Sequence, residues 1–598
     1  MLPYNGMEAL QAPIGLLKAQ ARPPGTNSPP GRFHPYYRDH LPELYDKDVI
    51  VLGDDDDNNN NDNDEELVIT GSRQVPKPWN QKPRRDVHIN QAWQLFDGPV
   101  GFHRGCDVEL ADHSFMRIDE YLPFVEGGPL IKGYRLLHQN HWELLMPERP
   151  FELVQLVKID ENLSVQSTMS TAKVSQVIRK CTIIFTSQRY GDLNYRDHVR
   201  RHLGSDNNVP FNDVPFYFCR YKSADCNVRI DGRVPTGPPL TGRIEHLHSS
   251  QADNGVLIAP DGRQIEFQIS NGEVRRQWRG KGHSKSRRYT FGDAFCGAGG
   301  TSSGALEAGL KFKFGVDFDL TAIATYRNNF ECTGTQVMLN DISDFIKIAC
   351  ASEDGFKVDF LHMSPPCQPF CGANRSPNEE ANRENMNAFS KVGDLLDVCK
   401  PRVATLEEAK SLTDIDKRKY FRDLISWFIE KGYSVQWKAV ELAKFGVPQT
   451  RNRTIIIASG PGEQLPAFVR PTHGDGPGLK PIPSINSAIN SIPANASHQK
   501  ERPFMRAPKP PYAGTELCKT IMTSVKSHHY HPSGLRRFNI REYASLQTFP
   551  PTFVFAGSMS EKLKQIGNAV PPLFAQTLFK HLKEKLTAAD DAEEEEYL

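Results

Sequence analysis

The 598-residue chain has eleven cysteines but no Cys-x-x-Cys pair among them. That argues against a zinc module or a disulfide framework, and predicts reduced thiols in an intracellular protein. It has no apolar run of about 18 residues and no signal-peptide pattern at its start, so neither a membrane span nor secretion is expected. It also lacks net charge, with 72 acidic and 72 basic residues. A global polyanion-binding signature is therefore absent, and a nucleic-acid partner would need a local basic face. The acid is concentrated in Asp54 to Glu66 and in Asp590 to Glu596, which leaves the body of the chain basic. Such runs are usually solvated tails.

What is present divides the chain. Residues 1–86 are rich in Pro, Gly, Asn and Asp and lack apolar periodicity, which predicts a largely disordered arm. From 87 to 280 short β-type runs follow: Glu152 to Val157, Cys181 to Phe185, Phe216 to Tyr221. Val256 to Ile258 and Gln264 to Phe267 flank Pro260-Asp261-Gly262 as a hairpin. This reads as a β-rich domain. Lys281 to Arg288 is a basic linker, either a nuclear-import signal or plain solvated chain, and the boundary should be nicked by proteases between Ser270 and Arg288. Beyond it, strand and helix patterns alternate over 288–459 and again over 538–587, the signature of a mostly parallel sheet with helices on both faces. Phe421, Leu424, Ile425 and Phe428 keep helical spacing, and Gly432 ends that helix. Residues 460–537, dominated by Pro, Gly, Ser, Asn and His, interrupt the alternation, and 588–598 forms an acidic tail.

Two runs carry chemistry. Phe295-Cys-Gly297-Ala-Gly299-Gly300 is a glycine turn after an apolar strand, and Asp317 ends the next strand. Glycines there admit a ligand close to the backbone, and a carboxylate at that place can accept from ribose hydroxyls. Ser364-Pro-Pro366-Cys367-Gln368 follows the buried strand Val358 to Met363, and its prolines stiffen the loop around one thiol. A lone Cys is commonly a structural thiol. At a strand end beside a nucleotide-like turn, a nucleophile is the better reading. Cys371 is taken as non-catalytic. A metal cluster at His528, His529 and His531 is rejected, since no cysteine or carboxylate joins them in ligand spacing.

These runs, with Glu407-Glu408-Ala409, Gln449-Thr-Arg451-Asn-Arg453, Arg541-Glu542 and Gln565-Ile-Gly567-Asn568-Ala-Val570, stand in the order that the cytosine-C5 DNA methyltransferases show, and the C-terminal half resembles that family. The resemblance implies an S-adenosylmethionine-dependent, Rossmann-like α/β methyltransferase with a target-recognition insertion at 460–537. It implies cofactor contacts by Phe295, Gly297, Gly299, Gly300, Asp317, Asp341, Pro366 and Asn568. It implies Cys367 as the nucleophile that adds to cytosine C6. Glu407, which must be buried, would protonate N3, with Arg451 and Arg453 holding that carboxylate and the base carbonyl. Gln368, Gln449, Arg536 and Arg541 would contact the substrate, double-stranded DNA whose target base is flipped out, and Arg537 and the neighbouring histidines offer further phosphate contacts. Glu408-Ala409 stands where the family has Asn-Val, which removes a loop-bracing side chain and adds a negative charge. That departure makes the chain look most like the fungal repeat-induced-point-mutation-defective subgroup, and so implies nuclear silencing of repeated DNA. The β-rich domain is similar to bromo-adjacent-homology modules, which would bring chromatin or histone partners. Two rivals remain on sequence alone: a chromatin-associated scaffold with the fold but little turnover, and an RNA cytosine methyltransferase.

Overall fold

The computed structural model describes residues 69–70 and 102–596, apart from 124, 143–144, 148, 150, 167–168, 190–215, 225–240, 259–263, 281–287, 353, 367–378 and 525. The arm expected over 1–86, except the short strand Ile69–Thr70, and most of the basic linker therefore lie outside the described residues. Residues 65–598 form one compact unit.

Seven strands carry the C-terminal half: β1 (Thr290–Ala294), β2 (Lys311–Asp317), β3 (Gln336–Leu339), β4 (Phe360–Met363), β5 (Val403–Ala409), β6 (Ser434–Glu441) and β7 (Asn452–Ser459). Their order across the sheet is β3-β2-β1-β4-β5-β7-β6. The first five are parallel, and β7 runs antiparallel between β5 and β6. The helices are α1 (Gly300–Glu307), α2 (Leu320–Phe330), α3 (Ile342–Ala351), α4 (Glu379–Ser390), α5 (Val392–Cys399), α6 (Arg418–Glu430), α7 (Ile485–Asn490), α8 (Ile540–Leu546), α9 (Met559–Asn568) and α10 (Pro572–Glu596). The expected mostly parallel sheet covered on both faces is what forms.

The strands show why. Along β7, Ile455 and Ile457 face one core, with Phe291, Phe312, Phe360 and the α10 residues Phe574, Leu578 and Phe579. Ile456 and Ala458 face the other, with Phe345 of α3, Leu395 of α5 and Phe421 and Leu424 of α6. Alternate residues go to opposite faces, and because both faces are covered the strands read as near-continuous apolar runs. The helix expected around Phe421 spans Arg418–Glu430, and Gly432 follows it in the left-handed region with φ +79°.

The β-rich half is not set apart from this sheet. Strand Thr241–His246 pairs antiparallel with β6, and the ladder continues through 216–224, 152–156, 130–138, 115–122, 107–110 and 177–185. The expected antiparallel pairing forms, with Val256, Leu257 and Ile258 opposite Glu266, Ile265 and Gln264. At the junction the buried Arg243 guanidinium donates to Gln436 Oε1 (3.0 Å), Pro466 O (3.0 Å) and Leu465 O (2.7 Å). The C-terminal acidic run is also not the solvated tail expected. It is the last turns of α10, where Asp590 and Glu593 are ion-paired. No helix among the described residues is long and apolar enough to cross a membrane.

Candidate functional site

At the C-terminal end of β1 the chain turns through Phe295 (φ +61°), Gly297 (φ +52°) and Gly299 (φ +91°) into α1. A side chain at Gly299 would place its Cβ 2.3 Å from the Phe330 ring, so glycine is required both for conformation and for space. Gly297 is the opposite case: nothing lies within 4 Å of where its Cβ would be, so its backbone faces open space. The half-buried Asp317 at the end of β2 braces this turn. It accepts from the Gly297 N–H and the Asp319 N–H, each at 2.9 Å, and burial raises its pKa. The β4 exit lies alongside, since Ser364 N–H donates to Ala294 O (3.3 Å) and its hydroxyl to Phe295 O (3.2 Å). Pro366 follows, half-buried. Asn568 closes α9 in an exposed position. Asp341 is exposed and caps α3 by accepting from Ser343 N–H at 2.8 Å.

One group that the motif reading left without a role is Asp293. It is fully buried, accepts from Ser302 Oγ (2.6 Å), and Ser302 in turn bonds Tyr326 Oη (2.8 Å). Burial pushes its pKa up to about 7, with the nearby Asp317 adding to the rise and Ser302 opposing it.

The second half of the site lies across β4, β5 and β7. Met363 pairs with Leu406, so the chain leaving β4 towards Cys367 exits at the end of the sheet where Glu407 sits. Cys367, Gln368 and Cys371 themselves lie outside the described residues. Glu407 is buried, at 8% exposure, and its Oε1 lies 2.6 Å from Arg453 Nε. The register makes this pair: Ala409 faces Arg453 and Glu407 faces Ile455, which places residues 407 and 453 on one face. Glu408, one residue on, points to the other face. It is fully buried, and its Oε2 accepts from Ala409 N–H at 3.0 Å. The added carboxylate is therefore turned away from Glu407. Beneath Glu407 a small cavity is lined by Thr301, His362, Thr405 and Phe579. His362 bonds Thr405 Oγ1 (2.9 Å), and burial lowers its pKa to about 3, so it is neutral.

Arg451, expected to hold Glu407 more loosely than Arg453, stands 4.0 Å from that carboxylate and also donates to the carbonyls of Ile521, Gly567 and Ala569. The side chains expected to contact substrate also make bonds within the protein. Gln449 is fully buried, donating to Leu546 O (2.8 Å) and accepting from Ile521 N–H (3.0 Å). Arg541 is buried and donates to Ser497 O (3.0 Å) and Pro550 O (2.8 Å), and burial brings its pKa down to about 10. Arg536 makes a bidentate pair with Glu542, both contacts 2.7 Å, and Arg537 donates to Lys526 O (2.7 Å) and His529 O (3.0 Å). These groups fold residues 497–553 onto the catalytic half rather than presenting charge to a ligand.

The turn with its open glycine, the carboxylate at the adjacent strand end and the buried Glu407–Arg453 pair lie at one end of the sheet. The family model for C-5 cytosine-specific DNA methylase matches residues 289–508 and 480–584. The chain is 31% identical to the type II methyltransferase M.NgoFVII of Neisseria gonorrhoeae, over 48% of this chain and 85% of that one. It is 26% identical to DNA (cytosine-5)-methyltransferase 1B of Oryza sativa subsp. japonica, over 58% of this chain and 32% of that one. Among solved structures, a putative DNA modification methyltransferase from an E. coli prophage aligns with a TM-score of 0.40 at 19% identity, covering 50% of this chain and 99% of that one. On the relationship to the Neisseria protein, 31% identical over 85% of its length, and on the family-model match, the chain belongs to the C-5 cytosine-specific DNA methylase family, whose methyl donor is S-adenosylmethionine.

Proposed function

We propose that the protein methylates C5 of a flipped cytosine in double-stranded DNA through a covalent adduct at Cys367. The observation that carries this is the buried Glu407–Arg453 pair, 2.6 Å apart, at the end of the sheet where the Cys367 strand exits. Cytosine C5 is too weak a nucleophile to take a methyl group directly. The Cys367 thiolate adds to C6 while N3 receives the Glu407 proton, and the electron pair gathered at C5 forms the new C–CH3 bond. S-adenosylmethionine would supply that methyl as an electrophile, its S–CH3 bond breaking to leave the neutral thioether S-adenosylhomocysteine. A base then removes the C5 proton, the C6–S bond breaks to return the thiolate, and the N3 proton goes back to Glu407. Arg453 holds Glu407 in place and balances its charge when it is ionised.

The cofactor fits the residues present: Gly297 offers open backbone, Asp317 a fixed carboxylate, and Phe295 a half-buried ring on the same turn. Asp341 spends one oxygen on its helix cap, and Asn568 is exposed at the α9 end, so both reach a ligand only from the rim. S-adenosylhomocysteine should bind without DNA, and calorimetry should show Asp317→Ala weakening it by about 1–3 kcal/mol, the cost of stranding buried polar partners. Equal affinity of the two proteins would remove Asp317 from the site.

Beyond the chemistry, we read residues 87–280 as a chromatin-facing module and the protein as a nuclear silencing enzyme of the fungal repeat-induced-point-mutation-defective type. Glu407-Glu408-Ala409 and the large β-rich half support this reading. Tritium transfer from labelled cofactor to duplex DNA and to RNA in parallel tests the substrate. Transfer to RNA alone would replace DNA in this reading, and transfer to neither would favour a scaffold.

A further inference from the structure

Phe504, in the stretch between β7 and α8, is 85% exposed. Single exposed apolar side chains are ordinary and carry no meaning alone. The setting of this one is not ordinary. Arg502, Phe504 and Arg506 are exposed, while Pro503 and Met505 between them are half-buried. Exposure alternates along 502–506, so that a cation, a ring and a cation are turned to solvent in order up to the bend at Arg506-Ala507. Exposed Lys509 continues the run. No ion pair among the described residues engages these four positions, whereas Arg536 and Arg537 nearby are spent on Glu542 and on backbone carbonyls.

The strip is anchored at both ends. At one end the Glu501 carboxylate pairs with His498 Nδ1 and Lys562 Nζ, each at 2.6 Å, and its backbone carbonyl accepts from Ile540 N–H (2.8 Å). At the other, Lys509 N–H donates to Gly534 O (2.8 Å).

We propose that this strip is a DNA-contacting comb, in which Phe504 wedges at a base step and Arg502 and Arg506 hold the flanking phosphates. It rests on the reading of double-stranded DNA as substrate. A ring carries stacking that is insensitive to salt, and arginines carry counterion release that is not. The two parts therefore separate experimentally. Binding of a labelled duplex by the full-length protein is measured over a salt series, with methyl transfer to the same duplex alongside. Phe504→Ala should weaken binding about tenfold at every salt concentration with the slope unchanged, and Phe504→Trp should restore it. Arg502→Gln/Arg506→Gln should flatten the log–log salt slope by about 2, near 0.9 for each phosphate. A Phe504→Ala protein that binds within twofold of wild type overturns the comb while wild-type methyl transfer keeps the DNA reading intact. Wild-type protein that neither binds nor methylates duplex DNA overturns both.

Discussion

Cys367→Ser should abolish the denaturation-resistant complex that the wild-type protein forms, in the presence of cofactor, with duplexes carrying 5-fluorocytosine. The fluorine leaves no proton to be lost from C5, so the final elimination cannot occur and the C6–S bond persists. Serine keeps the size of the side chain but has no accessible anion near neutral pH, and it is the thiolate that adds. Cys371→Ser, four positions on in the sequence, should retain the complex. Glu407→Gln should slow adduct formation by about 10²–10⁴-fold, the usual worth of a positioned acid, because an amide cannot deliver a proton to N3. It also loses the ion pair with Arg453, so its melting temperature should be measured beside its rate. A rate loss of that size in a variant that still melts like wild type assigns the effect to chemistry. If wild-type protein binds S-adenosylhomocysteine yet forms no adduct on any fluorocytosine duplex, the covalent route is excluded and the scaffold reading gains.

Which parts of this site the sequence could show follows from how far apart the partners lie. The glycine turn, Asp317 and the exit of β4 were legible because each is decided within one strand and the turn after it. The sequence put Arg453 before Arg451 as the partner of Glu407, and the antiparallel register of β7 against β5 sets them at 2.6 and 4.0 Å from it. What was not legible is that Arg451 is shared with the carbonyls of Ile521, Gly567 and Ala569. The same holds for Gln449, Arg536 and Arg541: an arginine in a motif looks equally like a ligand contact or a brace until its partners are known, and these partners are backbone carbonyls and a buried carboxylate. For Glu408 the strand geometry settles what the sequence left open. Neighbours in sequence lie on opposite faces of a strand, so the extra charge next to Glu407 in the chain is not next to it in space. The joining of the β-rich half to β6 had no local signal, since strand pairing leaves no mark on either strand alone.

Arg402→Ala should lower stability by about 3–5 kcal/mol, the cost of removing one partner from a buried charge cluster, and the reason lies in the acidic run that looked like a tail. Arg402, 5% exposed just before β5, holds Glu463 through Nε (2.6 Å) and Nη2 (3.0 Å) and Asp590 of α10 through Nη1 (3.0 Å) and Nη2 (2.5 Å). Tyr289 Oη donates to Asp590 as well, at 2.8 Å. Arg275, on the helix Asn271–Arg279, pairs with Glu463 (3.3 Å) and with Glu593 of α10. The cluster therefore ties the far end of the sheet, the last helix of the β-rich half and the C-terminal helix to one another. Glu463 is 3% exposed, so truncating Arg402 strands a buried carboxylate on the single remaining pair with Arg275. Asp590 gives the cluster a pH signature. Burial alone would raise its pKa, but the hydrogen bonds and charge of Arg402 outweigh burial and lower it. A carboxylate held lower in the folded than in the unfolded chain adds stability above the unfolded pKa of about 3.9, and that contribution is lost as pH falls through the folded value. Asp590→Asn should therefore melt below wild type at pH 7, and the gap should close as the pH drops below about 4. A gap that stays constant down to pH 3 would show that Asp590 acts through packing, not charge.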